Sequence, residues 1–514
     1  MAHTALTHNM PRFSATISRG SAEEIQTAVE RFLSISRQPI LLEPGEDPFP
    51  LTKGHYTIEA KHNRLIIQVW DQARVLVRRV LAVAKQGKGR VELVVEKFGK
   101  RTGQVILADQ SNPAAATILL RGKRVTFREQ FRRFLFLHFP NWTISSLSTE
   151  QDLENSLSPV YPRALLTRGP AGLAVLASPR TGAEAAGVLT FGLIWLDYLR
   201  SSRRDLHVEG LVLFLPSGSE YMTCLRLRFL DKRKAAYFAF VYSSDGYVEP
   251  LDLNDYGNLD TKLAPCRSQI LLGGWMGKWI ERLCLNPDVE RVLNSDGSLS
   301  LRVRGLPFAR TSGNRLQFGL DRFKPASEYH LAEIERLAFE LARHRSAECP
   351  DRINPLYQRL PEGWLESQVR AHIEVLDASL MPEPIYGQVP EFTAGERSVL
   401  DLLAVDRHGR LTVLELKASE DIHLPLQALD YWMRVRWHLD HGDFGRMGYF
   451  PTTTLASAAP RLFLVAPSLY FHPTTEVILR YFSPEVPVER IGLGVEWRRK
   501  LEVMFRVGGA HKPV

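Results

Sequence analysis

The stretch Leu400-Asp-Leu-Leu-Ala-Val-Asp-Arg-His-Gly-Arg-Leu-Thr-Val-Leu-Glu-Leu-Lys417 decides how the C-terminal third of this chain folds. Two apolar runs flank Arg407-His-Gly-Arg410, where Gly409 supplies the permissive backbone of a hairpin turn. Side chains alternate along a strand, so Glu415 and Lys417 share one face and Leu416 takes the other. Asp401 lies fourteen residues before Glu415, and a turn centred near His408 and Gly409 sets the two positions almost opposite each other. Two carboxylates and one ammonium then converge. Strand interiors normally hold apolar residues, as Val405, Leu411, Val413 and Leu414 do here. Charged residues that break such a run tend to mark functional sites. A hard divalent cation would balance the two carboxylates.

The neighbouring segments extend the pattern. A helix is expected over 363–379, carrying Glu366 in Trp364-Leu-Glu-Ser-Gln-Val-Arg. Strands are expected at 386–389, 398–406 and 410–417, then a helix over 424–439 on which Gln427 and Tyr431 share a face at i, i+4. Strands at 461–466 and 488–497 complete the layer.

Glu on a first helix, then Asp, then Glu-x-Lys on a strand, then Gln-x-x-x-Tyr on the next helix resembles the signature of the PD-(D/E)XK nuclease superfamily. The Gln-x-x-x-Tyr element is typical of its RecB-like branch, and the run from Leu400 to Tyr431 looks most like the C-terminal domain of NucS-type endonucleases. The resemblance covers about 140 residues. It implies a restriction-endonuclease-like αβββαβ core and a catalytic set of Glu366, Asp401, Glu415, Lys417, Gln427 and Tyr431. It also implies Mg²⁺ or Mn²⁺ held by Asp401, Glu415 and the Leu416 backbone carbonyl, with Glu366 joining directly or through water. Lys417 would position the attacking water or stabilise developing charge. Gln427 would orient the site or contact a phosphate, with Tyr431 in support. Leu400 stands where the family pattern has Pro.

The chain has 514 residues and a formal net charge of +8. Residues 351–514 carry 18 Lys+Arg against 21 Asp+Glu, a net of −3, which leaves +11 on the rest. Between Lys53 and Arg101 there are twelve basic and four acidic residues. Beside a nuclease motif, such a stretch reads as a phosphate-binding surface. Its candidates are Lys61, Arg64, Arg74, Arg78, Arg79, Lys85, Lys88 and Arg90. A solvated basic face without a partner is the alternative.

The expected class is an α/β multidomain chain. A basic α+β domain spans 1–120, a degenerate nuclease-like domain is a candidate at 121–240, a β-rich connecting region with a helix at 328–345 fills 241–350, and the nuclease domain occupies 360–514. In the first domain, Ser21 with Glu24 forms a capping-box pattern that opens a helix. Strands are expected at 56–60, 64–70, 90–96 and 104–108, and the apolar stripe Val75, Leu76, Val80 and Leu81 predicts a helix over 72–85. The polar segment 344–360 reads as a linker.

Residues 121–240 repeat the order of the C-terminal layer: a helix at 127–139, strands ending in 163–167 and 172–177, a helix at 183–200 and a strand at 210–216. Laid side by side, Gly172-Leu-Ala-Val-Leu-Ala-Ser falls against Arg410-Leu-Thr-Val-Leu-Glu-Leu, and Leu211-Val-Leu-Phe-Leu-Pro-Ser against Arg461-Leu-Phe-Leu-Val-Ala-Pro-Ser. An internal duplication explains the match; generic βαβ rhythm is the other explanation. On this alignment Ala164, Ala177 and Pro179 replace Asp401, Glu415 and Lys417, which makes the repeat inactive.

Four cysteines, none in a C-x-x-C pair, argue against a zinc knuckle or disulfide framework and fit a cytoplasmic protein. No secretory leader or membrane-spanning run is read. His408 and His441 read as loop residues. Phe191, Trp195 and Tyr198, like Trp275, Met276 and Trp279, read as core. The expected function is a divalent-metal-dependent nuclease acting on nucleic acid, DNA ahead of RNA, in repair or in defence against foreign DNA, with a homodimer as a candidate assembly. The alternative is an inactive nuclease-fold protein serving as a nucleic-acid-binding or assembly module.

Overall fold

A computed structural model describes residues 21–512 apart from 44–47, 53, 62–63, 71–74, 88, 98–100, 255–256, 258, 267–273, 295–296, 314, 388 and 390–401. The chain is mixed α/β and forms two compact units, one made of Met1–Gln151 with Ser158–Arg168, the other of Asp152–Leu157 with Gly169–Val514. Among the described residues, no helix is long and apolar enough to cross a membrane.

The first unit opens with α1 (Ala22–Ile35). Ser21 Oγ accepts the Glu24 N–H at 3.2 Å and Glu24 Oε2 accepts the Ser21 N–H at 2.8 Å, which is the capping box the sequence announces. Strands β1 (Pro39–Leu42), β2 (Phe49–Pro50), β3 (Tyr56–Lys61), β4 (Arg64–Trp70), β5 (Val75–Gly87), β6 (Arg90–Lys97) and β7 (Arg101–Asp109) form one antiparallel sheet in the order β2-β1-β7-β6-β5-β4-β3. Ile25, Val29 and Phe32 of α1 pack on its inner face with Leu65, Ile67, Val91 and Leu93. A long helix α2 (Pro113–His138) and the antiparallel hairpin β8 (Thr143–Ser148) and β9 (Arg163–Arg168) follow.

Of the helix expected over 72–85, positions 72–74 lie outside the described residues and 75–85 belong instead to strand β5, paired with β4 from Trp70–Val75 onward and with β6 on its other side. Its buried side chains are Leu76, Val80 and Ala82, an even-numbered set, while Val75 and Val77 are exposed. Apolar residues on both faces of the strand gave the clustering at 75–76 and 80–81 that mimics helical spacing. A strand rich in β-branched residues with partners on both edges outweighs that weak local signal.

The second unit begins with β10 (Ala171–Ala177), α3 (Ala183–Ser202), β11 (His207–Pro216), α4 (Tyr221–Leu227), β12 (Ala236–Tyr242) and β13 (Val248–Pro250). β10, β11 and β12 run parallel and β13 antiparallel to β12. α3 lies so close on β11 that a Cβ on Gly192 would sit 3.0 Å from Leu211. Next, α5 (Gly274–Leu283), the antiparallel meander β14 (Val289–Leu293), β15 (Leu299–Val303), β16 (Leu306–Ser312), β17 (Arg315–Phe318) and β18 (Lys324–Pro325), and α6 (Leu331–His344) share one core. Met276 and Trp279 are buried in it, as expected of core residues.

The segment read as a linker is packed rather than loose. It holds a short helix α7 (Pro355–Gln358), and Cys349 and Tyr357 are buried. Arg345, fully buried, donates to the carbonyls of Leu356, Arg359 and Arg304 and lies over the Trp364 ring. The expected helix over 363–379 is broken at His372 into α8 (Pro361–Ala371) and α9 (Ile373–Leu376).

The last layer comprises β19 (Leu402–Val405), β20 (Leu411–Leu416), α10 (Leu424–Asp440), α11 (Asp443–Arg446), β21 (Arg461–Pro467), α12 (Thr475–Leu479), β22 (Val488–Leu493) and β23 (Val503–Gly508). Its strand order is β19-β20-β21-β22-β23, with β20, β21 and β22 parallel and both edges antiparallel. Among the described residues of the strand expected at 386–389, Tyr386 forms a bridge with Leu403. Leu402, Leu414, Leu416, Phe463, Val465 and Ile491 pack with Trp364, Leu365 and Val369 of α8. α10 packs on β20 and β21 yet contributes nothing to that core, so it covers the opposite face.

The turn between β15 and β16 seats α8. Gly305 has φ +75°, and a Cβ there would overlap the Gly363 carbonyl in the first turn of α8. Gly305→Ala should therefore cost about 1–3 kcal/mol and lower the thermal midpoint; a midpoint equal to that of the unaltered protein would show that this contact does not seat the helix.

Candidate functional site

The hairpin joining β19 to β20 is built by Asp406. Its carboxylate accepts the N–H groups of His408 and Arg410 at 2.8 and 2.9 Å, and the Gly409 N–H bonds the Asp406 carbonyl. Gly409 has φ +80° and lies against the Thr454 carbonyl, so only glycine fits. The resulting ladder pairs Val405 with Leu411 and Leu402 with Leu414. This is the register on which the sequence reading rests; Asp401 itself lies outside the described residues.

Leu414 and Leu416 point into the α8 core, so alternation turns Val413 and Glu415 toward the α10 face. Glu415 is 3% exposed on a strand whose other positions are apolar or Thr412. The Lys417 N–H continues the ladder to the Val465 carbonyl. Its Nζ lies 3.5 Å from Glu415 Oε1 and 3.4 Å from Asp421 Oδ2. Asp421 in turn accepts the His423 N–H at 2.8 Å, at the mouth of α10. Gln427 stands in the first turn of that helix, its Oε1 buried and without a hydrogen-bond partner among the described residues. Tyr431, one turn on, is buried.

The structure thus gathers Glu415 and Lys417 at the end of the sheet from which α10 starts. Glu366 is engaged elsewhere: its Oε1 accepts from Arg370 at 2.8 Å and lies 3.5 Å from Arg302. The residue of α8 that approaches the loop after β20 is Glu362, which accepts from Ser419 Oγ at 3.4 Å. Among the described residues, no group of three or more His, Cys, Asp and Glu side chains is placed to hold a metal ion. The oxygen donors on this end of the sheet, the Glu415 carboxylate and the Gln427 amide, are of the hard type that Mg²⁺ and Mn²⁺ take.

Residues the sequence did not single out also bear on the site. Thr190 of α3 lies 3.0 Å from His423 Nδ1, and the Phe191 ring meets His423 edge-on. Arg226 of α4 forks onto Asp430, the neighbour of Tyr431, at 2.7 and 2.8 Å. No sequence pattern marks these pairs, because their partners are about 200 residues apart.

Of the four basic residues of this stretch whose side chains are described, three are paired. Arg78 meets Glu43 at 2.8 Å, Arg79 meets Glu96 at 2.9 Å and Arg90 meets Glu92 at 3.0 Å. The Glu43 side chain is 1% exposed, so Arg78 has a structural duty. Lys85 is exposed. Lys61 and Arg64 pair through their backbones, and Arg74 and Lys88 lie outside the described residues.

Comparison with family models, with curated proteins and with solved structures finds no match to this chain.

Burial lowers the proton affinity of His423, His438 and His472 below the ordinary histidine value; Asp421, Asp443 and Glu420 oppose the shift without cancelling it. The unfolded chain therefore takes up protons more readily. Stability should be full above about pH 6.5 and decline as pH falls through the depressed values. Thermal unfolding at pH 7.5 and 5.5 reads this, and His423→Gln should flatten part of the difference. A midpoint that rises toward pH 5.5 would contradict it.

Proposed function

We propose that the C-terminal layer of this chain is a divalent-metal-dependent nuclease site of the PD-(D/E)XK kind, hydrolysing phosphodiester bonds in nucleic acid, DNA ahead of RNA. One observation carries the reading: a carboxylate buried in an apolar strand, with an ammonium two residues on at 3.5 Å. A buried charge is costly unless it is paired or ligates a cation. Neither Glu415 nor Lys417 is needed for a hairpin or a core, and apolar residues would pack there at less cost. Support also comes from the parallel β20–α10–β21 unit and from the buried, unpartnered Gln427 Oε1 on the same face.

On this reading Asp401, Glu415 and the Leu416 carbonyl hold Mg²⁺ or Mn²⁺. A bound cation of this kind polarises the phosphoryl group and lowers the pKa of water. Lys417 lies beside the scissile phosphate, where its ammonium orients the attacking water and offsets developing negative charge. Asp421 holds Lys417 from its other side and fixes the start of α10 through His423. Gln427 presents its amide to the phosphate, and Tyr431 packs beneath it. Glu366, tied to Arg302 and Arg370, acts as a positioning residue of α8 rather than as a ligand. That engagement also keeps the second reading in view, an inactive nuclease fold that binds nucleic acid. The setting would be repair or defence against foreign DNA.

Glu415→Gln, Lys417→Met and Asp401→Asn should each reduce metal-dependent cleavage at least about 10²-fold, with binding of the same DNA changed far less, since phosphate affinity rests on other charges. Cleavage by Glu415→Gln at the rate of the unaltered protein would refute the site. Binding of DNA without cleavage by the unaltered protein in Mg²⁺ or Mn²⁺ would favour the second reading.

A further inference from the structure

The second unit contains the same layer twice. β10–α3–β11–α4–β12–β13 and β20–α10–β21–α12–β22–β23 share order and strand direction throughout. The ladders allow residue-level matching. Pairing each β11 residue with the β21 residue 251 positions on sets Leu211 on Leu462 and Pro216 on Pro467, and the same shift carries β12 onto β22, Phe240 on Ile491. β10 enters through Ala177 opposite Phe214, and β20 through Leu416 opposite Val465. Leu176 is therefore the counterpart of Glu415, and Ser178 that of Lys417. This corrects the sequence alignment by one residue, a slip that exchanges the two faces of a strand. Leu176 and Ser178 are buried, Ser178 Oγ donates to the Arg180 carbonyl, and the Tyr242 hydroxyl donates to the Ser178 carbonyl. The first layer holds neither the carboxylate nor the ammonium.

The two layers also meet as images of each other. The loops after α4 and α12 pair antiparallel about Leu230 and Phe482. The Asp231 N–H donates to the Tyr481 carbonyl and the Ser483 N–H to the Phe229 carbonyl, both at 2.8 Å. Exchanging the loops turns each bond into the other, with a shift within one residue of that relating the strands. Element by element the packing is reciprocal as well, α4 meeting α10 and α12 meeting α3; each side carries an ion pair, Arg226 of α4 with Asp430 of α10 and Arg480 after α12 with Asp197 of α3 at 3.0 Å, at different positions along the helices. Such reciprocity is the mark of an isologous interface. Here it is closed within one chain, and α3, α4, α10 and α12 are consumed in it.

We propose, resting on the nuclease reading above, that this chain is a fused pair of nuclease-fold halves that engages duplex DNA and cuts one strand of it, leaving a nick. The two strands of a duplex are related by local two-fold axes, so a protein with two-fold-related halves presents one half to each strand. Only the half with Glu415 and Lys417 hydrolyses; the half with Leu176 and Ser178 holds the other strand. Among the described residues, the faces of α3, α4, α10 and α12 that meet here are occupied within one chain.

The test is a time course on supercoiled plasmid and on single-stranded circles, with the full-length protein in excess in Mg²⁺ or Mn²⁺ and Glu415→Gln alongside. Open circles should accumulate nearly to completion before linear molecules appear, at a rate proportional to protein concentration, while Glu415→Gln leaves the plasmid supercoiled. Linear molecules formed from the first time points overturn the proposal, as does cutting confined to single-stranded circles; both leave the nuclease reading intact. Cleavage of neither substrate overturns that reading and the proposal with it.

Discussion

A carboxylate held out of water in the middle of a sheet is the demand to which the last layer of this protein answers. β20 lies between β19 and β21, with α8 on one face and α10 on the other, and Glu415 near its end is only 3% exposed. An ionised group in that position loses its hydration, worth several kcal/mol. Lys417 at one side and Asp421 beyond it form a short relay of alternating charge out to the loop before α10. The apolar side of β20, Leu414 and Leu416 against Trp364 and Leu365, supplies the burial that offsets the cost. Both the strain and its compensation are written into successive residues of one strand.

That relay is held from outside its own layer. His423 receives Thr190 and Phe191 from α3, and Asp430 accepts from Nε and Nη2 of Arg226. The Arg226 and Asp430 side chains are 7% and 14% exposed, so this is a partly buried bidentate pair. Losing one member of a buried pair costs about 3–5 kcal/mol because the other is stranded. The first layer, emptied of charge on its own strand, thus serves as the wall against which α10 is set. A sheet freed from holding carboxylates packs apolar residues on both faces, as Val175, Leu176, Leu211 and Leu213 do.

The N-terminal unit shows the difference between charge in a sequence and charge on a surface. Its basic stretch has a large formal excess, yet Arg79 faces Glu96 across neighbouring strands, Arg78 meets Glu43 from the loop after β1, and Arg90 pairs with Glu92 two residues along its own strand. Opposite charges at cross-strand positions stabilise a sheet before they attract any ligand.

Much of the C-terminal layer was legible in the sequence because its signals are local. Glu-x-Lys alternation, the Asp406–Gly409 turn and the i, i+4 pair Gln427 and Tyr431 depend only on backbone geometry within a few residues. The capping box at Ser21 belongs to the same class. The strand order of the repeat followed too, since βαβ units admit few arrangements. What failed to show was whatever depends on a partner far along the chain. β5 looked helical because its bond-forming neighbours β4 and β6 do not appear in its own composition. The engagement of Glu366 with Arg302, on a different sheet, does not announce itself either. The one-residue slip between Ala177 and Leu176 was settled by the ladders to β11 and β21, because a strand buried on both faces is apolar at every position and shows no alternation. The grips of Arg226 on Asp430 and of Arg480 on Asp197 belong to the tertiary structure alone: single charges at arbitrary spacing carry no pattern until the fold brings them within 3 Å.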